Sequence, residues 1–338
     1  MRGKAKAFAT CGTRDDDDAP SRRNASRLPA CHIRGFRYHG GMLRGSIPAL
    51  ITPMKQGVSP DTALDEESLS RLMEFHVEQG SDAVVVTGTT GEAATLSRDE
   101  HYALMSRAVE MAAGRLPVIA GTGANSTAEA TDLTRGAKRA GADACLLIAP
   151  YYNRPTQEGL YLHYKHVAEA VDIPQLLYNI PGRTACDLLP ETVARLAGLA
   201  NIVGIKEASG DLGRVARLRK LCGEDFLLFD GDDASAMDFI LRGGQGVISV
   251  TANVAPARMR KVCDCSLAGD RESAAAASAP LEDLHQALFV EPNPIPVKWA
   301  LHRMGLIEAG IRLPMTWLSE KCRDTVAQAM RTAGVLQH

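Results

Sequence analysis

The chain has 338 residues, 45% of them hydrophobic and 23% charged, with 38 basic against 40 acidic side chains and a net charge of −2. An apolar fraction that high with so little net charge excludes a disordered chain, and near-neutrality excludes a polybasic nucleic-acid or membrane surface as its main business. No apolar run is long enough to span a bilayer, and eight cysteines in a chain of this length fit reduced thiols in a cytoplasmic setting better than disulfide staples.

The first 41 residues carry nine basic and four acidic side chains, which leaves 29 basic and 36 acidic for residues 42–338. They show neither a helical nor a strand period, no apolar core of a secretory signal, and an Asp15–Asp18 run foreign to transit peptides. Residues 1–41 are therefore expected to be a disordered extension, with Met42 as the natural start of the patterned chain.

From Ser46 short apolar runs alternate with longer amphipathic stretches, and no Gly/Ser or Pro-rich linker interrupts them. Strands are expected at 47–52, 83–87, 117–121, 144–149, 175–179, 202–206, 226–229 and 246–250, with helices between. One helix opens at Ser97 with Glu100 three residues on, a capping box. Eight β/α repeats predict an α/β fold, a (β/α)8 TIM barrel, over a doubly wound sheet of five or six strands. The barrel would occupy 42–255. Residues 256–338 read as an all-helical C-terminal extension, packed on the barrel through Leu281, Leu284, Leu288, Phe289, Val297, Trp299, Leu301 and Leu306.

Barrel chemistry sits at the C-terminal ends of the strands. After the second comes Gly88-Thr89-Thr90-Gly91-Glu92, a tight turn with hydroxyls and exposed N–H groups suited to a carboxylate, or equally a plain β-to-α turn. Gly121-Thr122-Gly123-Ala124-Asn125, after the third, fails the dinucleotide fingerprint because its sixth position is Ser126. The fourth strand ends on Tyr151-Tyr152 and the fifth holds Tyr178, so three of seven tyrosines share two neighbouring strand ends, more phenols than packing readily explains. Lys206 emerges from a strand apolar on both faces. Desolvation would free its neutral amine for Schiff-base chemistry; alternatively its stem snorkels to water, paired with Glu207. The scattered histidines and Cys263-Asp264-Cys265 offer no metal set, and neither a P-loop nor a nucleophile elbow occurs.

Together, Gly88-Thr89-Thr90-Gly91-Glu92, Tyr178-Asn179-Ile180-Pro181 and Lys206 resemble the pyruvate-dependent class I aldolase family of dihydrodipicolinate synthases and N-acetylneuraminate lyases, over about 42–336. Pro150-Tyr151-Tyr152-Asn153, Gly231-Asp232-Asp233-Ala234 and the run from Phe289 through Asn293-Pro294 to Lys298 lie closer to the synthase branch. The resemblance implies a metal-independent lyase with no cofactor beyond an imine on Lys206. Tyr178 would donate and accept protons, and Thr89 and Tyr151 would form a hydroxyl relay, Tyr151 crossing from a neighbouring subunit and Tyr152 lying near the site entrance. Thr90, Gly231 and the backbone near Ile248 would bind pyruvate. Arg183 would bind the carboxylate of L-aspartate 4-semialdehyde, a step of diaminopimelate and lysine synthesis. It further implies an L-lysine effector site around Ser97, Arg98, His101, Asn125, Glu129 and Tyr151, weakened by the Arg98 cation, and a homotetramer or homodimer, with Arg242 near the weaker contact. A keto-deoxy sugar acid aldolase and a non-catalytic pyruvate-binding barrel are the competing readings.

Overall fold

The computed structural model describes residues 37–38 and 41–336. Eight strands form one parallel sheet: β1 (Gly45–Pro48), β2 (Val84–Val86), β3 (Val118–Gly121), β4 (Ala144–Ile148), β5 (Gln175–Asn179), β6 (Ile202–Glu207), β7 (Leu227–Asp230) and β8 (Gly246–Ser249). Their order is β1-β8-β7-β6-β5-β4-β3-β2, and a parallel bridge between Ala49 and Val85 joins the two ends, closing the (β/α)8 barrel. The first strand lies earlier than the expected 47–52. Pro48 has no N–H to continue the ladder, and beyond it Ala49 and Leu50 donate one bond each to Ser249 and Val85.

Alternation fills the interior. Ile47, Val85, Ile119, Leu146, Leu176, Leu227, Phe229 and Ile248 form the inner cluster. Residues between them, such as Val84, Cys145, Leu147, Leu177, Ile205 and Val247, pack outward under the helices. Gly204 belongs to the inner set, where a Cβ would meet Leu227 Cβ at 2.5 Å. The next inward position is Lys206.

One expectation needs correction. The stretch beyond 256 is not all helical, because Gly310–Arg312 forms a strand parallel to Gly57–Ser59; three-residue strands are too short to show a period. Of residues 1–41, Arg37–Tyr38 pairs with Gly41–Met42; the rest of the expected extension, residues 1–36 and 39–40, lies outside the described residues. The helices Pro256–Leu267, Glu282–Ala287, Ile295–Arg303 and Glu320–Thr332 bury Leu281, Leu284, Leu288, Val297, Trp299 and Leu301 in one cluster with Leu50, Leu72 and Val84. Leu306 packs at its edge, whereas Phe289 is half exposed and lines a cavity instead.

Candidate active site

A cavity of about 420 Å³ opens at the C-terminal ends of the strands. In the barrel ladder Tyr178 of β5 lies directly opposite Lys206 of β6, with Ile148 of β4 on its other side. Both polar side chains point into the cavity, and Lys206 Nζ sits 4.5 Å from the centre of the Tyr178 ring. Lys206 is buried, and desolvation pulls its amine down to about 8 against the opposing charges of Asp233 and Asp230. Burial likewise pushes the Tyr178 phenol up to about 12, tempered by the nearby Arg183 charge and Thr89 hydroxyl. An amine that gives up its proton near pH 8 therefore faces a phenol still protonated there, the pairing imine chemistry requires.

Glu207 does not pair with Lys206. One position on, it faces out of the barrel, where it accepts from Asn179 Nδ2 at 3.1 Å, Ser209 N at 2.8 Å and Arg214 at 3.4 Å. Arg214 also holds Asp187, which anchors the loop carrying Arg183. Arg183, exposed on the short helix Pro181–Thr184, lines the cavity, and no carboxylate among the described residues pairs with it. Gly231 passes so close that a Cβ there would lie 2.9 Å from Lys206 Cε.

Thr89 and Thr90 line the cavity from the loop after β2. Thr90 Oγ1 accepts from Asn293 Nδ2 at 2.9 Å, a contact reaching in from the C-terminal helices. Ile248 sits in the inner cluster and does not line the cavity. The adjacent tyrosines part company: Tyr151 lines the cavity of its own chain, whereas Tyr152, 88% exposed with φ of 72°, projects away from it. Of the expected effector residues, His101, Glu129 and Tyr151 share the cavity's outer part. Ser97 instead caps the helix Arg98–Ala112, Asn125 accepts from Asn153 through its backbone, and Arg98 pairs with Asp132 at 3.2 Å. The Arg98 cation is thus partly neutralised and outside the cavity lining.

Several polar groups around the site carried no expectation. Asp230, pushed up to about 7 by burial, accepts from Ser235 at 2.6 Å. Asp233 accepts from Val250 N and Thr251 N at 3.0 and 2.8 Å, and its Oδ1 has no partner among the described residues. Glu92 and Lys298 form a fully buried ion pair. Their signal was present as acids and a lysine inside otherwise apolar or glycine-rich runs, but partners 206 residues apart in sequence are not visible from one strand of text.

The profile of the dihydrodipicolinate synthetase family matches residues 42–333. A 4-hydroxy-tetrahydrodipicolinate synthase of Methylococcus capsulatus is 63% identical over 87% of this chain and 100% of its own length. Among solved structures, the chloride-inhibited dihydrodipicolinate synthase of Acinetobacter baumannii complexed with pyruvate is 50% identical, with a TM-score of 0.85 over 87% of this chain and 100% of that one. The enzyme of Cyanidioschyzon merolae with lysine bound is 38% identical, with a TM-score of 0.83 over 90% of this chain and 100% of that one.

Proposed function

The chain belongs to the dihydrodipicolinate synthetase family, and from that membership we propose that it condenses pyruvate with L-aspartate 4-semialdehyde through an imine on Lys206, giving 4-hydroxy-tetrahydrodipicolinate and water. The observation that carries this reading is the buried Lys206 amine 4.5 Å from the ring centre of the buried Tyr178 in one barrel layer, where desolvation pulls the amine down and the phenol up.

The neutral amine attacks the ketone carbon of pyruvate, and the carbinolamine loses water to form the imine. Tyr178 supplies the proton that leaves with the hydroxyl and then takes one from the methyl carbon, giving the enamine; the Thr89 hydroxyl beside it passes that proton on to the aldehyde oxygen as the carbon–carbon bond forms. The Thr89-Thr90 turn holds the pyruvate carboxylate with its hydroxyls and backbone N–H groups. Arg183, with no acid partner among the described residues, takes the carboxylate of the semialdehyde in its planar fork. The enamine carbon attacks the aldehyde. The substrate's own amine then displaces Lys206 from the imine carbon, closing the ring and regenerating the free lysine, so no metal or organic cofactor is called for.

The exposure and left-handed backbone of Tyr152 support it, rather than Tyr151, as the phenol that reaches a neighbouring subunit's relay, in a homodimer or homotetramer. L-Lysine would act at most weakly, at His101, Glu129 and Tyr151. No described helix is long and apolar enough to cross a membrane, and the six described cysteines are free, which supports a cytoplasmic enzyme. Borohydride reduction with pyruvate, followed by peptide mass analysis, tests the chemistry. The expected adduct is on Lys206 alone; its absence would refute the imine route, and an adduct with no cyclic product on adding the semialdehyde would refute the second substrate.

A further inference from the structure

The loop that presents Thr89 and Thr90 is bracketed by two non-glycine residues in the left-handed region, Thr87 at φ 53° and Glu92 at φ 56°. Such conformations cost free energy and persist only where the surroundings fix them. Each bracket is tied down by its own side chain. Thr87 Oγ1 donates to Val86 O at 2.7 Å and Gly121 O at 3.1 Å, within the barrel. Glu92 is held from outside it: one carboxylate oxygen accepts from Lys298 Nζ, and the other from Arg312 N at 3.1 Å.

Lys298 lies on the helix Ile295–Arg303, five residues after the Asn293 that donates to Thr90 Oγ1. Two contacts from one segment of the C-terminal helices thus seize the same turn, at its hydroxyl and at its far bracket. The side chains of Glu92 and Lys298 are 1% and 0% exposed. A buried ion pair adds little net stability over an apolar pair of the same volume, so stability alone gives a weak reason for charges here. Directionality gives a better one, because a hydrogen-bonded pair fixes an angle that apolar packing leaves loose.

We propose that the buried Glu92–Lys298 pair is a positioning device for pyruvate: from the C-terminal helices it sets the Thr89-Thr90 turn at the spacing from Lys206 that the carboxylate of the imine requires. This rests on the assignment of Lys206 as the pyruvate-binding amine. Glu92 borders the cavity, but its carboxylate is buried and taken up by Lys298 and Arg312 N, so the pair acts through the turn, and its removal should loosen one substrate and spare the other.

The test uses the full chain and the pyruvate concentration giving half-maximal borohydride adduct on Lys206, alongside KM for the semialdehyde. The double variant Glu92→Gln/Lys298→Met leaves no buried charge unpaired and retains an acceptor for Arg312 N. Half-saturating pyruvate is expected to rise at least about ten-fold, with semialdehyde KM within about two-fold, because a misplaced contact weakens only the group it orients. The isosteric Glu92→Gln, measured beside it, should raise half-saturation at least about three-fold. Unshifted half-saturation in either folded variant, while the wild type forms the adduct, overturns the positioning role alone. A wild type that forms no adduct instead overturns the imine assignment, and the inference with it.

Discussion

Lys206 has one direct observable, the pH at which it loses its proton. Desolvation places that near 8, so at pH 7 about a tenth of the chains hold the neutral amine, against about one in three thousand for an ordinary lysine. Adduct formation at low pyruvate should therefore rise about ten-fold per pH unit below pH 8 and flatten above it. A rate still climbing log-linearly through pH 10 would mean an unperturbed lysine. The charge of Asp230 opposes the depression, so Asp230→Asn should move the profile toward lower pH. Arg183 separates the two substrates. Truncation to alanine removes a charge-assisted fork from the semialdehyde carboxylate and should lower kcat/KM for it by about a hundred-fold or more. Half-saturating pyruvate in the adduct assay, read above about pH 9 where loss of the Arg183 charge no longer changes the protonation of Lys206, should stay unchanged, and a parallel loss there would place Arg183 in the pyruvate site instead.

Glu100 joins two elements, since it closes the capping box with Ser97 and receives both Nη atoms of Arg312, at 2.8 and 2.6 Å, from the short strand Gly310–Arg312. The Arg312 hydrogen bonds, ahead of burial, which opposes them, hold its carboxyl down at about 2, from an ordinary 4.5. The folded value lies below the unfolded one, so the stabilisation is fully present above about pH 4.5 and is lost as pH falls through about 2. Glu100→Gln keeps the cap and removes the charge. It should cost on the order of 2 kcal/mol at neutral pH, and the gap to wild type should narrow by more than half between about pH 5 and 3 in thermal or denaturant unfolding. A gap constant across that range would show that the charge contributes nothing. This junction also marks where sequence reading stops. The barrel strands were legible because each is buried on both faces and so reads as an apolar run, and Tyr178 and Lys206 stood out as polar residues inside such runs. Gly310–Arg312 pairs with Gly57–Ser59 about 250 residues away over three residues, and Glu92 meets Lys298 across 206, so no local period announces either. The opposite fates of Tyr151 and Tyr152 turn on a single left-handed backbone that any Tyr-Tyr sequence could decline to adopt.

The near-zero net charge conceals an uneven division between the first 41 residues and the more acidic remainder. Pyruvate is an anion and the semialdehyde a zwitterion with one carboxylate, so a basic leader could serve to draw pyruvate in. Local geometry argues against it. The basic groups proposed to meet substrate, Lys206 and Arg183, line the cavity itself. Beyond a Debye length, about 8 Å at physiological ionic strength, a charge on the leader is largely screened. Among the described residues the three hydrophobic clusters run from Met42 onward, the family profile matches 42–333, and the described strand contact before Met42 is the short pair Arg37–Tyr38 with Gly41–Met42. A chain beginning at Met42 should therefore keep kcat and both KM values within about two-fold at about 0.15 M salt, with a Tm within about 2 °C of the full chain. The discriminating measurement is the same pair of KM values at about 0.01 M salt, where the Debye length reaches about 30 Å and steering by a basic arm would be strongest. If the pyruvate KM rises on truncation there, with the semialdehyde KM unmoved, and converges again at higher salt, the leader acts as an electrostatic funnel; if neither moves, capture of both carboxylates belongs to the cavity.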